Sequence, residues 1–491
     1  MTIIFTTRQP EETEFIGADL ACALKAGDLV LLSGDLGAGK TTLARAMIRQ
    51  MAEDPILEVP SPTYTICQSY ETRIPLHHYD LYRVSNLDEL HELGWEEQLE
   101  TGCLLMEWPQ NVFEAIPEDA ILIEITDGEA DTRQISITSQ SDKLDRISRS
   151  FAIRDFLKKQ GLGKANRRFL TGDASARAYE TVGTENLVLM NSPAMPDGPA
   201  VRDGKPYSQI AHLAEDVSAF VAITELLRSK GYRAPKIHGH DLEAGLLLIE
   251  NLGPGTIIDE NRQPIAKRYQ ASIALLADLH NQTFKSHVSY AGNFVHEIPD
   301  YDHDAMMIEV ELLRDWYIPH EGNPAIDTSA FTEIWQNLIE KSKNHPKSLV
   351  LRDYHSPNII WLSGDHPTDQ IGLIDYQDAM IGPEAYDVAS LAQDARIDVP
   401  ESLENQLVDY YISLRKRSAK NFDERVFRES YAIMSALRVT KILGIFVRLD
   451  IRDGKPQYRK HLPRMREYLK RSLAHPVLGD YGNWLDSVIK L

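Results

Sequence analysis

The sequence has few of the features that mark secreted and membrane-spanning proteins. Only three cysteines, Cys22, Cys67 and Cys103, occur in 491 residues. Their odd number and their spacing fit neither a disulfide framework nor a zinc site, so we interpret them as buried thiols of a protein in the reducing cytoplasm. No apolar run approaches the roughly 18 residues that a membrane span needs. Residues 1–7 also lack the basic and apolar regions of a signal peptide.

Positive charge is scarce as well. The chain has 52 lysines and arginines against 73 aspartates and glutamates, a net charge of −21. Proteins that cover nucleic acid need cations along the phosphate backbone, so we expect no direct extensive nucleic-acid binding. The apolar share of 43% and the charged share of 25% are typical of globular proteins. Because 491 residues exceed one ordinary hydrophobic core, we expect two or three domains.

A phosphate-binding loop stands out near the beginning of the sequence. The pattern of Gly34, four residues and then Gly39-Lys40-Thr41 follows an apolar strand over residues 29–32 and precedes a helix. In this arrangement, backbone N–H groups and the helix N-terminus face an anion. We expect Lys40 to contact the β- and γ-phosphates and the Thr41 hydroxyl to bind Mg²⁺. The predicted nucleotide-binding residues are Gly34, Asp35, Gly37, Ala38, Gly39, Lys40, Thr41 and Thr42.

The surrounding pattern predicts a small α/β domain over residues 1–140. It consists of a helix over 12–25, a buried strand over 103–106 and two strands over 121–125 and 134–138. A further helix is expected from about 145 to 160, so we place the domain boundary near 140–146. The first domain is therefore predicted to be an α/β P-loop NTPase domain.

Acidic and polar residues beyond the loop suit nucleotide hydrolysis. Glu107 ends the buried strand, where a second Mg²⁺ contact is expected, and Trp108 follows it. The segments 61–64 and 78–83 read as polar loops suited to a conformational switch. As alternatives, His77 and His78 are solvated loop residues and Trp108 is a core residue. The Asn-Lys-x-Asp guanine-reading motif is missing, which disfavours a GTPase.

Together these motifs resemble the TsaE-type ATPase of tRNA threonylcarbamoyladenosine synthesis. The resemblance implies that Asp80 and Glu107 serve Mg²⁺ and hydrolysis and that Thr63 lies in a switch. Gln110 stands where that family often has an acidic residue. The resemblance also implies a partner, a threonylcarbamoyl-transferase complex of TsaD/TsaB-type proteins. The motifs occur in family order: Gly34-Asp-Leu-Gly-Ala-Gly-Lys-Thr-Thr42, Ser61-Pro-Thr-Tyr64, His78-Tyr-Asp80-Leu-Tyr-Arg83 and Glu107-Trp108-Pro109.

A second catalytic pattern lies near residue 350. Asp353 and Asn358 are five residues apart, the spacing of a kinase catalytic loop, and Asp375 ends an apolar segment 22 residues after Asp353. In this chemistry the first Asp accepts the proton of the substrate hydroxyl. Asn358 and Asp375 are the predicted metal ligands. A glycine-containing turn upstream gives further nucleotide-binding candidates, Gly172, Ser175 and Arg177.

Residues 147–491 resemble the aminoglycoside-phosphotransferase-like kinases, and within them the kinases of the anomeric hydroxyl of N-acetylmuramate and N-acetylglucosamine. This implies an α+β two-lobed, protein-kinase-like domain. Met190 stands where eukaryotic-type kinases usually have a lysine, and Arg177 is a candidate replacement for that lysine. Leu351 stands where a histidine often precedes Arg352. Asp387 is expected to be structural. The matching segments are Gly172-Asp-Ala-Ser175, Val188-Leu-Met-Asn191, Leu246-Leu-Leu-Ile-Glu-Asn-Leu-Gly253, Asp315-Trp-Tyr317, Arg352-Asp-Tyr-His355, Asp375-Tyr-Gln-Asp-Ala379 and Gly382-Pro-Glu-Ala-Tyr386-Asp387.

The sequence therefore predicts a bifunctional cytoplasmic enzyme that uses ATP and Mg²⁺ at two sites. The first domain would support tRNA threonylcarbamoylation, and the second would phosphorylate an amino sugar in cell-wall recycling. Two alternatives stay open for the second domain. In the first alternative, the second domain is a degenerate kinase that acts as a regulatory or binding module, which Met190 favours. In the second alternative, it is a kinase of aminoglycoside antibiotics.

Overall fold

The computed structural model describes residues 2–84, 87–170, 177–183, 186–194, 198–322, 329–366 and 368–489. The chain forms two compact units, Met1–Leu189 and Met190–Leu491, and each is described by itself. Within the described ranges, no helix is long and apolar enough to cross a membrane. The domain boundary predicted at 140–146 stays a prediction.

The first unit contains a seven-stranded sheet with helices. The strands of this sheet are β1 Thr2–Thr7, β2 Leu29–Gly34, β3 Cys67–Tyr70, β4 Leu76–Asp80, β5 Cys103–Glu107, β6 Ile121–Asp127 and β7 Arg133–Thr138. Two further strands, β8 Arg167–Leu170 and β9 Ala178–Val182, lie outside this sheet but in the same unit. Its helices are α1 Pro10–Ala23, α2 Lys40–Met51, α3 Leu87–His91, α4 Trp95–Thr101 and α5 Ser141–Lys159. The strand order in the sheet is β1-β7-β6-β2-β5-β4-β3. The next strand along the chain, β10 Leu187–Asn191, runs across the boundary of the two units.

The phosphate-binding loop follows β2, the central strand of this sheet. β2 lies between β5 and β6 and runs parallel to both. Its residues Leu29–Leu32 are almost completely buried, as expected for a parallel strand covered on both faces. The predicted strands over 103–106, 121–125 and 134–138 are confirmed as β5, β6 and β7. The predicted α/β P-loop fold is likewise confirmed.

The second unit is mostly helical. Its strands are β11 Ala200–Arg202, β12 Lys205–Pro206, β13 Ile237–Asp241, β14 Leu246–Glu250, β15 His287–Tyr290, β16 Phe294–Glu297, β17 Lys347–Val350, β18 Ile359–Trp361, β19 Ile371–Leu373 and β20 Met380–Pro383. Its helices are α6 Tyr207–Ile210, α7 Ser218–Ser229, α8 Ala266–Leu279, α9 His303–Leu312, α10 Ile318–Glu321, α11 Ser329–Ser342, α12 Ala385–Ala392, α13 Glu401–Ser418, α14 Glu424–Ile451, α15 Leu462–Leu473 and α16 Gly479–Val488.

Two antiparallel strand pairs frame the predicted catalytic loop. β17 pairs with β20, and β18 pairs with β19, so the segment between β17 and β18 is held at both ends. The long helix α14 approaches the end of α9 very closely. A Cβ atom on Gly444 would lie 2.2 Å from the carbonyl of Leu312, so only glycine allows this approach.

One predicted helix is shorter than expected. The pattern predicts a helix over about 211–230, whereas α7 begins only at Ser218. The preceding residues are tied to other groups. The backbone N–H of Ala214 donates to Asp378, 2.7 Å away, and the Asp216 carboxylate accepts from the N–H of Ser218, at 2.7 Å. These local acceptors replace intrahelical hydrogen bonds and delay the start of the helix.

Candidate active sites

The phosphate-binding loop joins the end of β2 to the start of α2, as the sequence predicts. Three of its glycines have positive φ angles, 142° at Gly34, 82° at Gly37 and 112° at Gly39. A Cβ atom on Gly34 would lie 2.3 Å from the carbonyl oxygen of Ile125. The backbone path therefore requires glycine at this point, and Lys40 follows as the first residue of the helix.

Lys40 is enclosed by the loop and by an aromatic ring. Its Nζ donates to the carbonyl oxygens of Gly34 and Asp35, at 2.8 and 2.9 Å. The ring centre of Trp108 lies 3.6 Å from the same nitrogen, a cation–π contact. Burial lowers the pKa of Lys40, and the carboxylates of Glu107 and Asp80 oppose this shift. Trp108 is thus in contact with the site and is not simply a core residue.

Glu107 connects the loop with the neighbouring strand. Its Oε2 accepts from the Thr41 hydroxyl at 3.1 Å, and its Oε1 lies 3.0 Å from His78 Nε2. Glu107 and His78 are both buried. The alternative that His78 is a solvated loop residue is wrong, because the segment interpreted as a loop forms β4 and pairs with the buried strand β5. A hydroxyl and a carboxylate in direct contact are oxygen ligands that suit Mg²⁺.

Asp80 lies beside Glu107 because the two residues are paired in the β4–β5 register. Its Oδ2 accepts from the hydroxyls of Ser61 and Thr63, at 3.1 and 2.9 Å. These bonds anchor the Ser-Pro-Thr segment to the end of β4. The structure therefore brings Asp80, Glu107, Lys40 and Thr41 together. The Gln110 amide donates to the Ser33 hydroxyl at 3.3 Å.

The second unit brings together Asp353, Asn358 and Asp375. The Asn358 side-chain amide donates to the backbone carbonyl of Asp353 at 2.9 Å and to Asp375 Oδ2 at 3.3 Å. The other carboxylate oxygen of Asp375 accepts from the Gln377 amide at 3.0 Å. Asp353 is half-buried, so its carboxylate is accessible to a substrate. The oxygens of Asn358 and Asp375 form a donor set that fits Mg²⁺.

Asp387 fixes the backbone just before Asp353. Its two carboxylate oxygens accept from the N–H groups of Leu351 and Arg352, at 2.6 and 2.9 Å. Arg352 has a left-handed φ of 69°, which is strained for a side-chain-bearing residue. Burial raises the pKa of Asp387 to about 7, and the two amide donors act in the opposite direction. The contacts agree with the structural role expected for Asp387.

We expect Asp387→Asn to destabilise the kinase domain. The amide would offer one oxygen to two backbone donors, and an unpaired buried donor costs about 1–3 kcal/mol of the free energy of unfolding. Thermal denaturation of the full chain should show a lower Tm for Asp387→Asn than for the exposed control Asp365→Asn. Equal Tm values for the two variants would contradict the role given to Asp387.

Sequence reasoning missed a buried charge cluster behind the catalytic loop. The Arg352 guanidinium pairs with Glu309 of α9 and donates to the carbonyl of Ala211 at 2.9 Å. Lys441 of α14 reaches the same carboxylate at 2.7 Å, and the Tyr301 hydroxyl donates to it. Burial alone would raise the pKa of Glu309, but Arg352 and Lys441 lower it to about 2. No local sequence signal links residues so far apart.

The remaining predicted positions are less complete. Met190 occupies the position of the usual kinase lysine, so this position carries no cation, and its side chain is buried. Arg177 is half-buried and directly precedes β9. Gly172 and Ser175 lie outside the described residues, so their predicted role stays a prediction.

Comparisons with known proteins find a different family model for each of two parts of the chain. The model of the threonylcarbamoyl adenosine biosynthesis protein TsaE matches residues 7–135. The model of the phosphotransferase enzyme family matches residues 166–425. An N-acetylmuramate/N-acetylglucosamine kinase of Caulobacter vibrioides is 33% identical over 350 residues, 68% of this chain and 95% of that protein. The tRNA threonylcarbamoyladenosine biosynthesis protein TsaE of Rickettsia felis is 36% identical over 134 residues, covering 27% of this chain and 78% of that protein. The TsaE protein of Bacillus subtilis is 34% identical over 151 residues, with 30% and 93% covered.

Proposed function

Because the chain belongs to the TsaE family in its N-terminal part and to the phosphotransferase enzyme family in its C-terminal part, we propose that it is a bifunctional enzyme. The first domain hydrolyses ATP in support of threonylcarbamoyl transfer to adenosine 37 of tRNA. The second transfers phosphate from ATP to the anomeric hydroxyl of N-acetylmuramate or N-acetylglucosamine. Both activities are expected in the cytoplasm, where ATP and tRNA are found.

The enclosed Lys40 supports ATP binding at the first site. Phosphate oxygens are stronger acceptors for an ammonium group than the two backbone carbonyls that it now contacts. Bound Mg²⁺ would offset the phosphate charge, and Thr41 and Glu107 would hold it. Asp80 would keep the segment with Ser61 and Thr63 beside the reacting phosphate. The first domain would act on the conformational cycle of a threonylcarbamoyl-transferase complex with TsaD/TsaB-type proteins, and would not itself transfer the threonylcarbamoyl group.

We expect Glu107→Ala to reduce hydrolysis at the first site much more than nucleotide binding. Loop amides and Lys40 supply most anion contacts, whereas Glu107 acts through Mg²⁺ and the charge of the transition state. Sugar-independent ATP turnover and the stoichiometry of a fluorescent ATP analogue should be measured separately. The variant should still bind two nucleotides per chain. The exposed Glu124→Ala, on β6, is the matched control; loss of one bound nucleotide in Glu107→Ala alone would contradict the assigned role.

The contact of Asn358 with Asp375, next to Asp353, is the observation that supports catalysis at the second site. Asp353 would accept the proton of the sugar hydroxyl while the sugar oxygen attacks the γ-phosphorus of ATP. The bond between the γ-phosphorus and the bridging oxygen would break, and ADP would leave. Asn358 and Asp375 would hold Mg²⁺, and Asp387 and Arg352 would keep the loop in place. A degenerate kinase that serves only as a binding module would not need this complete set of groups.

A substrate screen of the full chain tests this function. Purified protein is incubated with Mg-ATP and either N-acetylmuramate, N-acetylglucosamine or an aminoglycoside, and the phosphorylated product is detected by mass spectrometry. We expect phosphate on the anomeric oxygen of an amino sugar. Phosphorylation of the aminoglycoside alone would favour the antibiotic-kinase alternative, and no product from any acceptor would favour the binding module.

A further inference from the structure

The first hairpin covered by the phosphotransferase family model is packed in the same compact unit as the P-loop domain. Strands β8 and β9 lie within residues 166–425, yet they fall in the unit that ends at Leu189. They pair antiparallel, with Arg167 opposite Val182 and Leu170 opposite Tyr179. Arg177, one of the nucleotide-binding candidates predicted from the sequence, directly precedes β9.

A buried ion cluster attaches this hairpin to α1. Asp19 of α1, Arg154 of α5, Arg167 of β8 and Glu180 of β9 are all buried. Arg167 forms a two-pronged pair with Glu180, at 2.6 and 2.9 Å, and also donates to Asp19 at 3.0 Å. Arg154 donates to both oxygens of Asp19, at 2.8 and 2.9 Å. Asp19 is therefore the shared acceptor of two guanidinium groups.

Two side chains, Arg154 and Gln50, make further hydrogen bonds to the hairpin and to the chain that leads into it. The remaining Nη of Arg154 donates to the carbonyls of Gly163 and Ala165, at 3.1 and 2.7 Å, which holds the chain between α5 and β8. The side chain of Gln50, near the end of α2, donates to the carbonyl of Arg167. The hairpin is thus bound by side chains of both α1 and α2.

The charge balance of the cluster depends on the P-loop domain. Two arginines face two carboxylates. Of the two carboxylates, only Glu180 belongs to the part of the chain covered by the phosphotransferase family model, whereas Asp19 belongs to the P-loop domain. Without the Asp19 charge, two buried guanidinium groups would share one carboxylate, an arrangement that disfavours the packed hairpin because a buried charge needs a partner.

We propose that Asp19 of the P-loop domain is a positioning residue for the kinase, because it holds the β8–β9 hairpin and thereby Arg177. The proposal rests on the proposed kinase function and on the nucleotide-binding role that the sequence predicts for Arg177. It involves the structure of the P-loop domain and does not involve its ATP hydrolysis.

The test compares Asp19→Asn and Glu180→Gln with Glu14→Gln in the full chain. Asp19→Asn removes the shared charge with almost no change in shape, and Glu180→Gln removes the other carboxylate. Glu14 is an exposed residue on the same helix as Asp19 and provides the matched control. Hydrogen exchange over 167–170 and 178–182 measures the hairpin, and steady-state sugar phosphorylation measures the KM for ATP, the KM for the sugar and kcat.

Asp19→Asn and Glu180→Gln should both increase hydrogen exchange in the hairpin at least tenfold. They should raise the KM for ATP at least threefold, with kcat and the KM for the sugar within twofold of the control. Unchanged exchange, or faster exchange with an unchanged KM for ATP, would overturn the proposal. A uniform loss of kcat would indicate general unfolding and would also count against it. Failure of the unaltered chain to phosphorylate either sugar would instead refute the proposed function, and hairpin exchange would still decide whether Asp19 holds the strands.

Discussion

We expect Asp353→Asn to remove nearly all phosphorylation of the amino sugar, while the affinity for Mg-ATP should stay within a few-fold of its original value. Asp353 lies beside Asn358 and Asp375, and the Asn358 amide donates to the backbone carbonyl of Asp353 rather than to its carboxylate. The side chain is therefore available to accept the proton of the attacking hydroxyl. Loss of such a group lowers kcat by about 10²–10⁴-fold. The nearly isosteric change preserves the shape of the loop.

The measurement is steady-state kinetics of the full chain with N-acetylmuramate or N-acetylglucosamine over a series of Mg²⁺ concentrations. Asp375→Asn is the informative comparison, because its carboxylate contacts Asn358 and it should weaken the Mg²⁺ dependence as well as kcat. The exposed Asp365→Asn controls for loss of an acidic side chain nearby. A kcat of Asp353→Asn close to that of the unaltered chain would refute the kinase assignment of this loop.

The parts of the two sites that are local in sequence could be predicted well. The glycines and Lys40 form one continuous loop between a strand and a helix, so the spacing alone determines their arrangement. Asp353 and Asn358 are likewise only five positions apart in one loop. Glu107 could be placed because its strand is strongly apolar, and such a strand is buried beside β2.

Groups that depend on long-range packing could not be predicted. The polar segment around His78 predicts a loop. Pairing of β4 with β5 instead buries His78 as a partner of Glu107. Glu309 and Lys441 come from two helices, α9 and α14, that are distant in sequence and approach each other closely at Gly444. Asp19 has no motif around it, and its role follows only from the contacts of α1 with Arg154 and Arg167.

Lys40→Ala should abolish ATP hydrolysis at the first site and leave sugar phosphorylation intact. Lys40 is the cation of the phosphate-binding loop, and the loss of such a group lowers turnover by at least about 10²-fold. The groups assigned to the second reaction, Asp353, Asn358 and Asp375, form a separate set within the other compact unit. Sugar-independent ATP turnover and sugar phosphate formation are measured on the same preparation.

The exposed Lys25→Ala is the matched control for Lys40→Ala, since it removes a lysine from the same domain outside the loop. The Asp19→Asn and Lys40→Ala variants then distinguish two ways in which the P-loop domain can affect the kinase. Asp19 acts through the packing of the β8–β9 hairpin, which the loss of a loop cation leaves in place, because Lys40 contacts Gly34, Asp35 and Trp108 and has no bond to the ion cluster. A folded Lys40→Ala protein that loses both activities would show that the kinase depends on the nucleotide state of the first site, and the independence of the two reactions would be refuted.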